Sequence, residues 1–538
     1  MSDDRSGSDE RDDVQPATAP DDADAPRPEA PDASAPTVDA TRVEAGDADP
    51  GAPLDDVDAS REPPARDGDA DVDLATDVVA TDREAAANEA AERERARERR
   101  RPGLWALRAT AGAATIAVGV LGVLAAPTLP SVEADPRTAT VAPDAPEETR
   151  VCAGPLIGIG DASGDAAAIE VLADDRLEAS ASEREPLAVA GVDAAPEVLR
   201  GTDLAGAEWL TVASDVARGA AASECGQPAT SQWLVGGSTT TGRSSVLTIA
   251  NPGTTPTSVD LAVHGPDGRV DAVGSTGIAV GAGSVVLVDL AALAPGLVSP
   301  VVQVATTGGP VVAHLQHRVV RTLDPGGVEI VDPSHAGTDV AIPAVTIGEA
   351  TGLQTQEGFA DAAPALRLLA QESTRVTITT IAAGEEPIDS TLDLVGGSVA
   401  EVDLSGLAPG TYAFRIASDV PVVAAARAIR VDGDAVDLDW VQGQTEALDG
   451  ATAVAVAPGE SPTLHLLSLA DEPTTVRVGE TEVGLVPGGI RSVPLAAGTT
   501  TIEGSQVVAA VSYAGGSGIA GYAITPPIAV RSSIDVVL

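Results

Sequence analysis

This sequence predicts a mainly β protein: tandem immunoglobulin-like β-sandwiches outside a membrane, one transmembrane helix, and a disordered acidic N-terminal tail. Three observations predict it. An uncharged segment long enough to span a bilayer follows a run of arginines. Everything beyond residue 152 is written in short Val/Ala/Leu/Ile/Thr runs broken by Gly, Pro, Asn and Asp, which is the pattern of strands and turns. That pattern also repeats itself three times.

Residues 1–81 are rich in Asp, Ala and Pro and nearly empty of large apolar side chains. Such a segment buries too little apolar surface to offset its ordering entropy, so it reads as a disordered cytoplasmic tail. It is either an interaction tail or a solvated one with no fixed partner. Residues 82–103, dominated by Ala, Glu and Arg without an apolar stripe, read as a solvated juxtamembrane helix.

Residues 104–129 read as the spanning helix. Ala109 to Ala126 carry no charge, and 26 helical residues at ~1.5 Å each cross a hydrocarbon core of ~30 Å with some tilt. A helix is the only single segment that satisfies its own backbone in lipid. Arg100 and Arg101 precede it, and Trp105 and Arg108 sit at its start as interfacial anchors. The positive-inside rule places the N-terminus in the cytoplasm and the C-terminus outside. A cleaved signal peptide is the competing reading, with Val132-Glu133-Ala134 as the cleavage site. An N-terminal region of about 100 residues argues for a retained anchor.

Residues 130–151 read as an extended stalk. Residues 152–230 then form a diverged β unit holding the only two cysteines, Cys152 and Cys225. Outside the cell these two can form a disulfide closing a loop of ~70 residues, worth about 4 kcal/mol in the chain-entropy model. Two free buried thiols are the other reading. Three sandwich repeats follow at 231–345, 346–445 and 446–538. Each runs through an alternating apolar strand, a Gly-rich turn, a strand ending in Leu-Ala-Pro-Gly or Leu-Ala-Ala-Gly, and a last pair of Val/Ala strands.

Charge and composition exclude some functions. The chain carries −49, with 51 acidic against 18 basic residues after position 130. A surface this negative repels phosphate backbones, so no nucleic acid partner is expected. Aromatic residues make up 2% of the chain, and Trp209, Trp233, Trp440, Tyr412, Tyr513 and Tyr522 are scattered.

No motif carries chemistry. Gly516–Gly521 matches a dinucleotide-type glycine pattern, but it joins two strands and lacks the helix N-terminus that cradles phosphate. His314 and His317, three apart on a strand, point to opposite faces and cannot share a metal. His264, His335 and His465 have no neighbouring ligands. Asp432, Asp434, Asp437 and Asp439 do not match an EF-hand loop; they read as a solvated acidic hairpin, with calcium as the alternative. No catalytic residue, cofactor or metal ligand is therefore expected.

The segment QWLVGGSTTTGRSSVLTIANPGTTPTSVDLAVHGPDG, with the later LAPG and GGPVVAH, resembles a family of actinobacterial membrane-anchored extracellular proteins of unknown function. The likeness runs from about Cys152 to the C-terminus. It rests on Trp233, the Asn251–Pro252 turn and the Leu-Ala-Pro-Gly at 293–296, all of them scaffold positions. The resemblance implies a single-pass envelope protein and no activity. The absence of Lys agrees with a high-GC source. The resulting expectation is a non-enzymatic envelope scaffold or binding module. Its partners would be the bilayer, through one helix, and an envelope protein or glycan. An accessory role in envelope glycan assembly is the alternative.

Overall fold

Residues 138–141, 147–160, 168–192, 195–433, 435–516, 518–527 and 534–537 are described by the computed structural model. The tail, the juxtamembrane helix, the expected span at 104–129 and the anchor residues Arg100, Arg101, Trp105 and Arg108 lie outside them. Among the described residues no helix is long and apolar enough to cross a membrane.

The second module shows how the alternation becomes a core. One sheet holds Ser231–Val235, Val301–Thr307 and Thr257–Gly265; the other holds Asp324–Val331, Val312–Arg321, Arg243–Asn251 and Ser284–Asp289. Within Thr257–Gly265, Val259, Leu261 and Val263 are buried while Ser258, Asp260 and Ala262 between them are less so. Those inward residues meet Leu247, Ile249, Ala313 and Leu315 in one apolar cluster, as a period of two requires of a half-buried strand. The Leu-Ala-Pro-Gly motif does not end a strand here. Asp289 accepts the Ala291 N–H and caps a one-turn helix, Leu290–Leu293, before Pro295 and Gly296; Asp is a favoured residue for that position.

In the third and fourth modules the two central strands are fused into single strands, Gly410–Asp432 and Gly498–Gly515. The first half of Gly410–Asp432 pairs with Thr374–Ala382, and the second half with Ala365–Ala370 and Ala435–Gln442. One chain thus serves both layers. In the second module Gly308, Gly309 and Pro310 interrupt the same path, because proline supplies no ladder N–H.

Two expected boundaries move. Gly337–Ile347 pairs with Gly410–Asp432, so the third module begins near 337 and not at 346. Glu148–Val151 pairs with Glu197–Gly201, so the end of the expected stalk is a strand of the first module. Earlier in that stalk, Thr138–Val141 pairs with Ile534–Val537 near the C-terminus.

The modules are not a loose string. Each of the first three ties its opening strand to the residues just beyond its closing strand, through the bridges Val151–Gly226, Trp233–Ser334 and Ala341–Gln444. The closing strands are Arg218–Glu224, Asp324–Val331, Ala435–Gln442 and Gly518–Ala523. They pack side by side in cyclic order, the fourth against the first. Trp209 of the first module stacks on Tyr513 of the fourth at 4.9 Å, and both are buried in a shared cluster. Four modules therefore form one ring, within a single compact unit spanning Glu133–Leu538.

Candidate functional site

The ring axis is where the sequence places its oddest residues. Strands that meet four abreast must have small inward side chains, and Gly219, Gly327 and Gly518 supply them at one level. The fourth strand has Asp437 there. A Cβ on Gly327 would stand 2.7 Å from Asp437 Oδ1. The carboxylate thus occupies the space the glycines leave, and three strands donate to it. Oδ2 accepts the N–H of Ala220 at 3.1 Å and of Ile519 at 3.0 Å, and Oδ1 accepts that of Val328 at 3.3 Å.

Deeper along the axis lie Glu329, 0% exposed, and Asp439, 5% exposed. Both Glu329 oxygens and Asp439 Oδ1 have no hydrogen-bond partner. Burial raises all three acids, since a dry surrounding penalises the charged form. Asp437 rises to about 8 despite its N–H donors, and Asp439 to about 7. Glu329 rises well above the usual range, pushed further by the charges of Asp439, Asp437 and Asp332.

The solvated acidic hairpin expected at 432–439 is corrected here. Asp432 is exposed, but Asp437 and Asp439 are 7% and 5% exposed. Their strand turns both side chains toward the axis, where neighbouring modules cover them.

At the far end the axis opens into a cavity of about 370 Å³. The three bridges fix the register there, so the positions two residues before them, Glu224, Asp332 and Gln442, sit on one rung. Ala523, opposite Ala510 as Gln442 is opposite Ala425, completes it. Arg150 pairs with Glu224 at 2.9 Å, and Thr525 N–H donates to the same carboxylate at 2.9 Å. The Glu224 N–H donates to Asp332 Oδ2 at 3.0 Å, while Oδ1 has no hydrogen-bond partner. His314 Nε2 stands 3.8 Å from that free oxygen, too far for a hydrogen bond. Burial lowers His314 to about 4. Asp332 is pushed well above the usual range, first by burial and then by the charges of Glu224 and Asp439. Burial thus favours the neutral form of both partners.

Cys152 and Cys225 are bonded, Sγ to Sγ 2.11 Å. The bridge joins the strand carrying Arg150 to the residue after Glu224 and so braces one wall of this mouth. His317 Nδ1 lies 2.9 Å from Ser245 Oγ, and His465 lies between Ser492 and Ser512, 2.8 Å from each. None of these residues lines the mouth. Gly516–Gly521 runs from a turn directly into the closing strand Gly518–Ala523. Among the described residues no three His, Cys, Asp or Glu side chains converge to hold a metal ion.

Sequence reading missed Glu224, Glu329, Asp332 and Gln442. One signal was available. Glu329 has Gly327 and Val331 two residues to either side inside a strand, where a solvated face would carry polar neighbours.

The family described as a family of unknown function (DUF5719) matches residues 178–502. No curated protein matches. One solved structure, "Crystal Structure of Thermotoga maritima 1070", is 17% identical; the match covers 21% of this chain and 97% of that one, at a TM-score of 0.19. That likeness is too slight to carry an argument.

Proposed function

Because the chain belongs to the DUF5719 family of unknown function, membership brings no activity with it, and we propose from its own geometry that it is a non-enzymatic binding module of a cell envelope. It is held by a single helix at 104–129, with the N-terminus in the cytoplasm and the ring of immunoglobulin-like modules outside. The source is an actinobacterial type of envelope. The observation that carries the reading is the mouth. Four modules converge on a side-chain-lined cavity of ligand size, and sites of that kind form where structural units meet. The disulfide beside it suits an oxidising compartment. The alternative, an accessory subunit of envelope glycan assembly, draws on the same carboxylate-lined cavity, which could take a sugar hydroxyl donor.

Proximity labelling from a tag after Leu538, in native cells, tests this reading. His335 and Glu446 line the rim and are exposed, so His335→Trp and Glu446→Trp obstruct the mouth without disturbing the core. The expected result is labelling of extracellular envelope proteins that weakens severalfold in both variants. Labelling of polymer synthases promotes the alternative. Labelling of cytoplasmic proteins alone overturns the topology, and an unchanged pattern in the variants removes the mouth from the proposal.

A further inference from the structure

We propose that the mouth receives a cationic hydrogen-bond donor, an alkyl guanidinium or ammonium group, which it holds against Asp332, Gln442 and Gln444. This rests on the reading of the mouth as a ligand site and adds the chemistry of the ligand.

The argument is a donor and acceptor inventory. Asp332 Oδ1, Gln442 Oε1 and Gln444 Oε1 have no hydrogen-bond partner, and all three side chains line the cavity. Gln442 is only 3% exposed, so its unused oxygen lacks bulk water as well, a costly state for a buried acceptor. The glutamine amide donors of the wall are already spent. Gln442 Nε2 donates to Val235 O at 3.2 Å, Gln444 Nε2 to Ile524 O, and Gln227 Nε2 to Pro526 O at 2.7 Å. Arg150, which does not line the cavity, is held by Glu224 and by the Cys225 carbonyl, its Nε alone lacking a partner. A wall with acceptors to spare and donors committed selects a ligand made of donors, and guanidinium and ammonium groups are donors only.

Charge agrees. Glu224, Asp332 and the rim residue Glu446 face one cation, Arg150, so the mouth repels anions. Burial and the neighbouring acids Glu224 and Asp439 push the Asp332 carboxyl well above the usual carboxylate range. His314, the imidazole beside it, is neutral, Tyr522 stays protonated as well, and the buried acid Glu329 also faces Asp332. A bound cation favours the ionised form of Asp332, so affinity rises with pH as that carboxyl titrates. A charged hydrogen bond from ligand to carboxylate is the strong kind.

Isothermal titration of the full-length chain tests this, with arginine amide, lysine amide, agmatine and the neutral isostere citrulline amide, at pH 6 and pH 8. The cationic probes are expected to bind at least ten-fold more tightly than citrulline amide, and several-fold more tightly at pH 8 than at pH 6. Asp332→Asn should weaken them at least ten-fold while leaving the melting temperature unchanged or higher. Gln442→Leu, a second variant of similar volume, should weaken them too. If Ac-Gly-Arg-Gly amide binds more tightly than agmatine, the group is peptide-borne; the reverse marks a free amine. Equal binding of citrulline amide, binding indifferent to Asp332→Asn, or a response to calcium chloride alone overturns the inference. If no cation binds while the rim variants still abolish envelope labelling, the mouth reading stands and only its ligand chemistry falls.

Discussion

Asp437 Oδ2 accepts the backbone N–H of Ala220 across 217 positions of chain, and that bond joins the third module to the first. The same carboxylate reaches the second and fourth through Val328 and Ile519. One side chain therefore holds all four closing strands in register.

Removing it should loosen the ring. Asp437→Ala orphans three backbone N–H groups, two of them buried and one half-buried, and each buried unsatisfied donor costs about 1–3 kcal/mol. A loss of about 3 kcal/mol or more is expected in urea unfolding of the full chain, with Asp437→Asn milder because one acceptor oxygen remains. Gly327→Ala should cost about 1–3 kcal/mol by crowding Asp437 Oδ1. That cost should shrink in an Asp437→Gly background, a coupling that a double-mutant cycle detects. Additive losses would show that glycine and carboxylate do not share one space.

The axial acids set a pH dependence whose sign can be worked out. Asp437 at about 8 and Asp439 at about 7, with Glu329 and Asp332 also raised, bind protons in the folded state that the unfolded chain gives up near pH 4. Their stabilisation is complete below about pH 4 and is lost as pH rises toward 8. His314, His317 and His465, each lowered to about 4 by burial, act oppositely: their contribution is present above about pH 6.5 and lost as pH falls to 4. Between 4 and 6.5 the two sets oppose each other; above 6.5 the acids act alone. Stability should therefore fall between pH 6.5 and 8, by about 1–3 kcal/mol per pH unit for one to two protons. Thermal unfolding across that range checks it, and the Asp437→Asn, Asp439→Asn double variant should flatten the slope. A profile that rises there would contradict the protonated axis.

Glu401 should be a sensitive point between the second and third modules. It binds Arg367 at 2.8 Å and Arg427 at 3.2 Å, both stacked over Trp440 at 4.4 and 5.2 Å. Arg367 also donates to the carbonyls of Gly237 and Pro300 in the second module. Burial raises the Glu401 carboxyl, but the two guanidiniums more than reverse this and hold it ionised. Glu401→Ala leaves two buried cations on one ring, a situation that costs about 3–5 kcal/mol. Glu401→Gln keeps an acceptor and should cost less. Denaturant midpoints for the pair separate lost charge from lost hydrogen bonding, and equal losses would assign the whole effect to charge.

The strands themselves were legible in the chain. Val259, Leu261 and Val263 alternate with smaller or polar residues, and a strand with one face buried has no other way to hide them. A mainly β class follows from the same local periodicity. What alternation does not reveal is the partner of each face. Asp437 and Asp439 follow Asp432 and Asp434 in a stretch that reads as solvated, and only the arrival of strands about 80 to 220 positions away buries them. The module boundaries at 337 and 148 shifted for the same reason, since strand pairing and not composition decides membership.

The sequence by itself determined the β class and the distribution of charge, because these depend on composition and on neighbours a few residues apart. Tertiary structure alone decided that four modules close into a ring, that acids stand along its axis, and that Glu224, Asp332 and Gln442 meet on one rung. Those relations join residues about 100 positions apart, and no local pattern records which strand will face which.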